Sequence, residues 1–288
     1  MEKIKVGIIG TGNIGSDLLM KVRRSDVLEC GIFAGHNRDS KGIASAKALG
    51  VPVTYDSIRY IEENPDCCQI VFDATSAKVH LYNAPILQSL GKYTIDLTPA
   101  HIAPFCIPQI NLDSAMELSG VNCVTCGGQA TVPLAKAISE AADVDYLEIV
   151  ATIASKSAGA GTRNNIDEFT QTTKEALIEL GGIRNAKAII ILNPAEPPVK
   201  MHNTIYALAN DPDMDRVCRA VARVEKEIQA YVPGYKVVLP PIFENGRITV
   251  GIEVVGSGDF LPSYAGNLDI ITCAAVEIAE NYARRKLL

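Results

Sequence analysis

Lys3-Ile-Lys-Val-Gly-Ile-Ile9, followed at once by Gly10-Thr11-Gly12-Asn13-Ile14-Gly15, is the stretch whose reading decides the fold. Lys3 to Ile9 alternates and then runs apolar, as a strand buried in a parallel sheet does. The residues after it complete a G-x-G-x-x-G, and Ile14, Leu18, Leu19 and Val22 then recur at helical spacing. Alone the motif is weak; between a strand and an amphipathic helix it reads as a dinucleotide-binding turn. The glycines permit the tight turn, the approach of backbone to a pyrophosphate and close helix packing, while the helix N-terminus attracts the anion. Gly10, Thr11, Gly12, Asn13, Ile14 and Gly15 are therefore the first candidate cofactor contacts.

A second strand, Val27 to Ala34, should end beside the adenosine ribose, where an Asp or Glu usually accepts the 2′-hydroxyl of NAD. Here the chain reads Gly35-His36-Asn37-Arg38-Asp39-Ser40-Lys41. Asn37 suits a hydroxyl, whereas Arg38, Ser40 and Lys41 suit a 2′-phosphate, so NAD and NADP both stay open. Alternatively Ser40 caps the helix running to Leu49, and Arg38 and Lys41 are solvated. The pattern then repeats: a helix closed by Gly50, a strand at Val51 to Thr54, a buried strand Gln69 to Ala74, a helix Ala77 to Leu90 stopped by Gly91, and a strand Tyr93 to Leu97. Alternating strands and helices predict a doubly wound parallel α/β sheet, with ligands at the carboxyl ends of its strands. Ala74-Thr75-Ser76 and Asp96-Leu97-Thr98-Pro99 become candidate pocket walls, with Asp73 and Asp96 as caps or turn residues.

A different stretch, Asn122 to Leu134, carries the candidate chemistry. Val121 to Thr125 is a β-type run, and Ala130 to Ala142 has helical spacing, with Pro133 tolerable in the first turn. Cys126 then lies at a helix start, where unpaired N–H groups and the helix dipole favour the reactive thiolate. Gly127 and Gly128 let a substrate approach the backbone, whose N–H groups can hold an oxyanion. A small buried core thiol is the competing role for Cys126.

After Ala142 the grammar changes. Tyr146–Ser155, Ala188–Leu192, Val199–Ala209 and Ile248–Val255 read as strands, and Ile166–Leu180 and Met214–Ala230 as helices. Strands joined without crossover helices suggest a mixed or antiparallel sheet covered by helices on one face. Residues 126–265 are read as a second domain, and a final amphipathic helix, Asn267 to Lys286, as returning to the first, which takes 1–125 with 266–288. Within the second domain Ser157-Ala158-Gly159-Ala160-Gly161-Thr162-Arg163-Asn164-Asn165 opens a helix and is another anion-binding candidate. Asn165 with Glu168 equally fits a capping box. Asn193-Pro-Ala-Glu-Pro-Pro198 reads as a rigid turn.

Length and composition bound the rest. At 288 residues, 48% hydrophobic and 21% charged, the chain has core material for two domains. The net charge of -6, with no Lys/Arg run, argues against nucleic acid and anionic membranes. The apolar run after Met1 is too short for a signal peptide or a membrane span. Eight cysteines then imply a reducing compartment, which points to a cytoplasmic enzyme or binding protein. Only Cys123 and Cys126 form a C-x-x-C, and His36, His80, His101 and His202 are scattered singly, so no metal site is expected.

Several separated motifs match one known family: Gly10-Thr-Gly-Asn-Ile-Gly, Val71-Phe-Asp-Ala-Thr-Ser, Asp96-Leu-Thr-Pro-Ala, Val124-Thr-Cys-Gly-Gly-Gln-Ala-Thr, Ser155-Lys-Ser-Ala-Gly, Asn193-Pro-Ala-Glu-Pro-Pro and Ala265-Gly-Asn-Leu-Asp-Ile. The chain resembles the acylating acetaldehyde dehydrogenases over nearly its whole length. That resemblance implies a dinucleotide-binding domain plus a glyceraldehyde-phosphate-dehydrogenase-like catalytic and dimerisation domain, a homodimer, and oxidation of a short aldehyde to an acyl-CoA with NAD and coenzyme A. It implies that Cys126 is the acyl-thioester nucleophile, that Thr11 to Ile14 hold the pyrophosphate, and that Ser157 to Asn165 and Asn267 line the nucleotide site, with Asn165 also counted among the catalytic candidates. It further implies 4-hydroxy-2-oxovalerate aldolase as a possible partner.

The chain departs from the family in three places. Met201-His202-Asn203-Thr204 stands where the family typically has Met-Arg-Asp-Thr with the Asp as general base, and Asn203 takes no proton at neutral pH. His202 is a candidate replacement, although an extended segment points it away from Asn203. Cys123 stands where Met is commoner; it is either a redox partner for Cys126 or a plain strand residue. The connection after Pro233-Gly-Tyr235 is short, which weakens the aldolase partnership. Two rival readings remain: a phosphate-dependent semialdehyde dehydrogenase and a non-catalytic redox regulator.

Overall fold

The computed structural model describes residues 3–288. By its contacts the chain divides into two compact units, Met1–Cys123 with Thr272–Leu288, and Val124–Ile271.

The first unit is built on strands β1 (Ile4–Ile9), β2 (Leu28–Ala34), β3 (Val53–Thr54), β4 (Ile70–Asp73), β5 (Tyr93–Asp96) and β6 (Gly120–Asn122), which form one sheet in the order β3-β2-β1-β4-β5-β6. All pairs are parallel. Helices α1 (Asn13–Val22), α2 (Lys41–Ala48), α3 (Ile58–Glu63), α4 (Ala77–Ser89) and α5 (Pro108–Ala115) lie between them in the chain. Central-strand residues Val6, Ile8, Ile9, Ile70, Val71 and Phe72 are wholly buried, each large apolar side chain contributing roughly 1.5–3 kcal/mol. Because the chain runs outward from β1 one way and from β4 the other, the strand order reverses between them. A reversal of this kind is where such sheets take their ligands, at the strands' carboxyl ends; here Gly10 and Ala74 meet there.

The last helix, α10 (Gly266–Leu287), spans the division, and its residues from Thr272 onward belong to the first unit. Thr272 Oγ1 donates to Asp17 Oδ2 at 2.5 Å, and that carboxylate pairs with Lys21 at 2.8 Å. The Tyr282 ring stacks on Tyr93 at 3.9 Å between centroids. The ion pair lies within α1, and the Thr272 hydrogen bond to its carboxylate is what ties α10 to α1.

The second unit contains α6 (Cys126–Ala141), β7 (Val144–Ala154), α7 (Ala160–Asn164), α8 (Ile166–Glu179), β8 (Ala186–Asn193), β9 (Met201–Ala209), α9 (Met214–Gln229), β10 (Tyr235–Glu244) and β11 (Arg247–Val254). Its sheet runs β10-β11-β9-β7-β8, antiparallel except for β7 with β8. Met201, Asn203, Ile205, Ala207 and Ala209 of β9 are buried beneath the helices, while His202 and Leu208 face outward and are exposed.

The structure differs from the sequence expectations at four places. Helix α6 starts at Cys126 rather than Ala130, so Pro133 lies in the helix interior and not in its first turn. The run after Gly120 leaves the sheet at Asn122, because Val124 turns the chain at φ +60°. The stretch after Tyr235, which reads as a bare connection, is β10, joined to β11 through Asn245-Gly246 with φ of +51° and +76°, a hairpin turn suited to Asn-Gly. Helix α5 is kinked at Asn111, which falls at φ -144° and ψ 28°, so no helical period marks it.

Candidate active site

At the dinucleotide turn each glycine has a distinct steric reason. A Cβ on Gly10, at φ +107°, would lie 2.4 Å from the Ala74 carbonyl oxygen, and one on Gly15 would lie 1.8 Å from the Gly10 oxygen. Gly12 instead faces open space, with nothing within 4 Å. It is also the N-cap of α1 and offers no side-chain cap, so the first N–H groups of the helix are left for a ligand. Ser16 Oγ, buried at the same helix start, has no hydrogen-bond partner. A tight turn, an open backbone cradle and an unused hydroxyl fit a pyrophosphate.

The ribose corner is largely occupied by its own turn. Ser40 caps α2 through the Ile43 amide and donates to the Thr11 carbonyl at 2.9 Å. Asn37 Oδ1 accepts from the Asp39 amide at 2.9 Å, and the Arg38 guanidinium lies 4.6 Å over the Tyr55 ring. Ser40 therefore takes the capping role, and Arg38 is held by an aromatic face.

Cys126 is the first residue of α6. Thr125 caps that helix, accepting from the Gly128 amide at 2.9 Å, and its hydroxyl also meets that of Thr173 at 2.7 Å. The thiol is half-buried. The expectation that the helix start lowers its pKa is corrected: burial pushes the thiol up to about 12, against the pull of the Gly127 and Cys126 amides. Cys123 is buried and its thiol is also pushed up by burial, which disfavours the redox role.

Gly127 sits directly on the sheet, since a Cβ there would lie 3.3 Å from that of Ala151 and 3.0 Å from the Phe169 ring. Ala151 of β7 is the register partner of Asn203 in β9. Asn203 is thus beside the residue beneath Gly127, buried, with both Oδ1 and Nδ2 lacking a hydrogen-bond partner. His202 points to the opposite, open face, where Nε2 is 3.3 Å from Glu253 Oε2. The strand period that buries Asn203 under α6 takes His202 away from it, so the idea of His202 as replacement base is not supported by its position.

The stretch Ser157–Asn165 folds as the end of a 3-10 turn followed by α7. Arg163 is tied inward, donating through Nη2 to the Ser155 carbonyl and hydroxyl at 2.7 and 2.8 Å, and through Nε to the Ala158 carbonyl. Asn165 is the N-cap of α8 without a side-chain cap bond, which corrects the capping-box expectation. The Asn193–Pro198 turn is joined to this region by an ion pair between Glu196 and Lys156. Asn267, in the first turn of α10, is buried with Oδ1 unpartnered.

One cluster is absent from the sequence reading. His80, on α4 and buried, places Nδ1 2.9 Å from Asp73 Oδ2 and Nε2 3.3 Å from Asp96 Oδ2. Asn83 donates to Asp73 at 2.8 Å and Asn122 to Asp96 at 2.7 Å. Burial works against a charged imidazole, yet the two carboxylates outweigh it and the His80 pKa is raised. Asp96 is raised to about 6, mainly by burial and against the attraction of His80. As expected, both aspartates make turns, but they also share the histidine. The Val71-Phe-Asp-Ala-Thr-Ser motif gives a signal for Asp73, whereas nothing in the spacing pairs it with His80. Among the described residues no group of His, Cys, Asp and Glu suits a metal ion.

With this geometry in hand, the chain can be set beside known proteins. Residues 5–118 match the model described as semialdehyde dehydrogenase, NAD binding domain, and residues 126–262 match prokaryotic acetaldehyde dehydrogenase, dimerisation. The class is thus a two-part dehydrogenase. The structure is similar to that of aspartate semialdehyde dehydrogenase II from Vibrio cholerae, with a TM-score of 0.68 over 100% of both chains at 13% identity, a likeness of fold. An acetaldehyde dehydrogenase of Spirochaeta aurantia is 51% identical over 98% of this chain and 96% of its own. Those of Geobacillus stearothermophilus and Carboxydothermus hydrogenoformans are 49% and 50% identical, over 100% and 99% of this chain and 98% and 95% of their own. This chain belongs to the acetaldehyde dehydrogenase family.

Proposed function

We propose that the chain is an acylating aldehyde dehydrogenase that converts a short aldehyde such as acetaldehyde, NAD and coenzyme A to acyl-CoA and NADH. The observation that carries this reading is the thiol of Cys126 at the capped start of α6, with the Cys126 and Gly127 amides acting on its sulfur. Family membership, together with a first unit whose open Gly12 cradle fits a pyrophosphate, supports it.

In this mechanism the Cys126 sulfur adds to the aldehyde carbonyl carbon and the thiol proton ends on the former carbonyl oxygen, giving a thiohemiacetal. Backbone amides at the start of α6 stabilise the charge that develops on the carbonyl oxygen. Bound NAD would supply the hydride acceptor, and with the hydroxyl proton lost to solvent the adduct would remain as a thioester on Cys126. The thiol of coenzyme A then attacks that thioester, and Cys126 departs as thiolate to regain its proton. Asn203 offers both a donor and an acceptor beside the Gly127 end of α6, and serves as a polar contact for the adduct rather than as a base. Gly10 to Gly15 hold the pyrophosphate. Within the second unit, Ser157 to Asn165 and Asn267 are the residues that family resemblance gives to the nucleotide, and the unpartnered Asn267 Oδ1 is a polar atom suited to it.

NAD is favoured over NADP because Ser40 and Arg38 are already engaged. None of the eight cysteines is in a disulfide, which suits a reducing cytoplasm. No helix among the described residues is long and apolar enough to cross a membrane. We read the functional unit as a homodimer formed through the second unit; the tight β10–β11 hairpin supplies no extended arm for docking an aldolase. The test is NADH formation from acetaldehyde with coenzyme A, with inorganic phosphate and NADP in parallel. Coenzyme A-dependent reduction of NAD is expected, and phosphate-dependent turnover would overturn the assignment.

A further inference from the structure

The turns that follow β4 and β5 lie at the strand ends where a doubly wound sheet takes its ligand, and both turns are held by buried carboxylates. Asp73 Oδ1 accepts from the Thr75 amide at 3.1 Å and from the Thr75 hydroxyl, while Asp96 Oδ1 accepts from the Thr98 amide at 2.7 Å. The turn after β4 is also the surface against which the dinucleotide turn closes. The Ala74 amide donates to the Ile9 carbonyl at 2.8 Å, and the missing Cβ of Gly10 leaves room for the Ala74 carbonyl. Any shift of Asp73 is therefore transmitted to Gly10.

Two carboxylates side by side without a cation would repel each other and be poorly solvated. His80 is between them, with one ring nitrogen on each. Only the imidazolium can donate from both nitrogens at once. The groups facing it are Asp73 from β4, Asp96 from β5, the neutral amide of Asn122 from β6 and Asn83 from its own helix. The Cys123 and Cys106 thiols near Asp96 are held neutral by burial. A cavity of about 160 Å³, lined by His80, Asp96, Gln88, Thr94, Pro104 and Val121 among others, borders the ring.

We propose that His80 is a positioning residue for the dinucleotide: bridging Asp73 and Asp96, its imidazolium fixes the two strand-end turns where the sheet takes its ligand, so that dinucleotide affinity depends on its proton. This rests on the dinucleotide-binding reading of the Gly10–Gly15 turn. Deprotonation leaves one ring nitrogen without a hydrogen and the carboxylates with one cation fewer. The Ala74–Ser76 turn then loses its fixed position against Gly10.

The test is the dissociation constant of NADH for the full chain, followed by fluorescence from pH 6 to 10, in wild type, His80→Gln and Asp96→Asn. Wild type should weaken on the alkaline side. His80→Gln should bind about tenfold more weakly near neutrality, with no further alkaline loss, as expected for losing charged hydrogen bonds. Asp96→Asn, which leaves the imidazole one carboxylate, should move the alkaline midpoint to lower pH. A merely structural role would lower melting temperature in both variants without altering the shape of the pH curve. Wild-type affinity and pH profile in His80→Gln would overturn the proposal, and if that variant does not fold, an unmoved midpoint in Asp96→Asn does the same. A wild type that binds no NADH at any pH would instead overturn the dinucleotide reading on which the proposal rests.

Discussion

Cys126 shows how burial and backbone compete for one proton. Its place at a helix start is legible in Thr125-Cys126-Gly127-Gly128, but the burial that pushes the thiol up to about 12 is not, because burial depends on the folded chain. The free chain should therefore react slowly with iodoacetamide at Cys126 near neutrality. The rate should rise about tenfold per pH unit up to the thiol pKa, as peptide mapping of the alkylated residue would reveal; a plateau below pH 9 contradicts this. Cys126→Ser should abolish acyl-CoA formation while NADH binding persists. Asn203, one register position from the residue beneath Gly127, can be tested by installing a base. Asn203→Asp should add an ionisation limb to the kcat/KM profile, shifted above the usual carboxylate range by burial. Absence of a new limb would mean that this position does not reach the reacting atoms. The aspartate and histidine of the buried cluster were individually visible as residues, but their meeting needs α4 folded over β4 and β5, which no local period encodes.

At the scale of elements, what was legible followed the strength of the period. The βαβ repeat of the first unit stands out because buried parallel strands are apolar runs between amphipathic helices. Strand β10 escaped because it contains Pro240 and Pro241, which withhold ladder donors. The structure accommodates them at an edge position, with register shifts on either side of Leu239. The dinucleotide turn gives the cleanest element-level test, since its glycines differ in what a methyl group would strike. Gly12→Ala has φ -80° and open space around it, so the melting temperature should hold while NADH binding falls as the methyl takes the place of the pyrophosphate. Gly15→Ala drives its Cβ to 1.8 Å from the Gly10 oxygen and should destabilise the first unit outright. Equal effects of the two on NADH affinity and melting temperature would refute the division of roles. At α6, Thr125→Ala should cost about 1 kcal/mol in urea unfolding, the ordinary worth of an N-cap.

For the whole molecule the open face of the second sheet is decisive. One face is covered by α6, α8 and α9; the other carries Ile191 at 44%, Leu208 at 45% and Ile242 at 41% exposure, each from a different strand. Between them register places Val150, Ile189, Thr204 and Tyr206 on the same side. Register also puts Glu148, His202, Arg247 and Glu253 on that side, so exposed apolar side chains are interspersed with charged ones there, which makes the face a candidate contact surface. The matched dimerisation model covers this same unit, and a two-fold axis would bring the face onto its own copy. The exposed apolar stripe was not recoverable from sequence as an interface, because alternation reads the same whether a partner or water covers the outer face. Leu208→Glu should therefore put like charges across the two-fold axis and yield a monomer by sedimentation velocity. Because residue 208 points away from α6, the Cys126 thiol in that monomer should retain its alkylation rate. A dimer that survives both Leu208→Glu and Ile191→Glu would show that the copies associate through another surface, leaving the open face to a different partner.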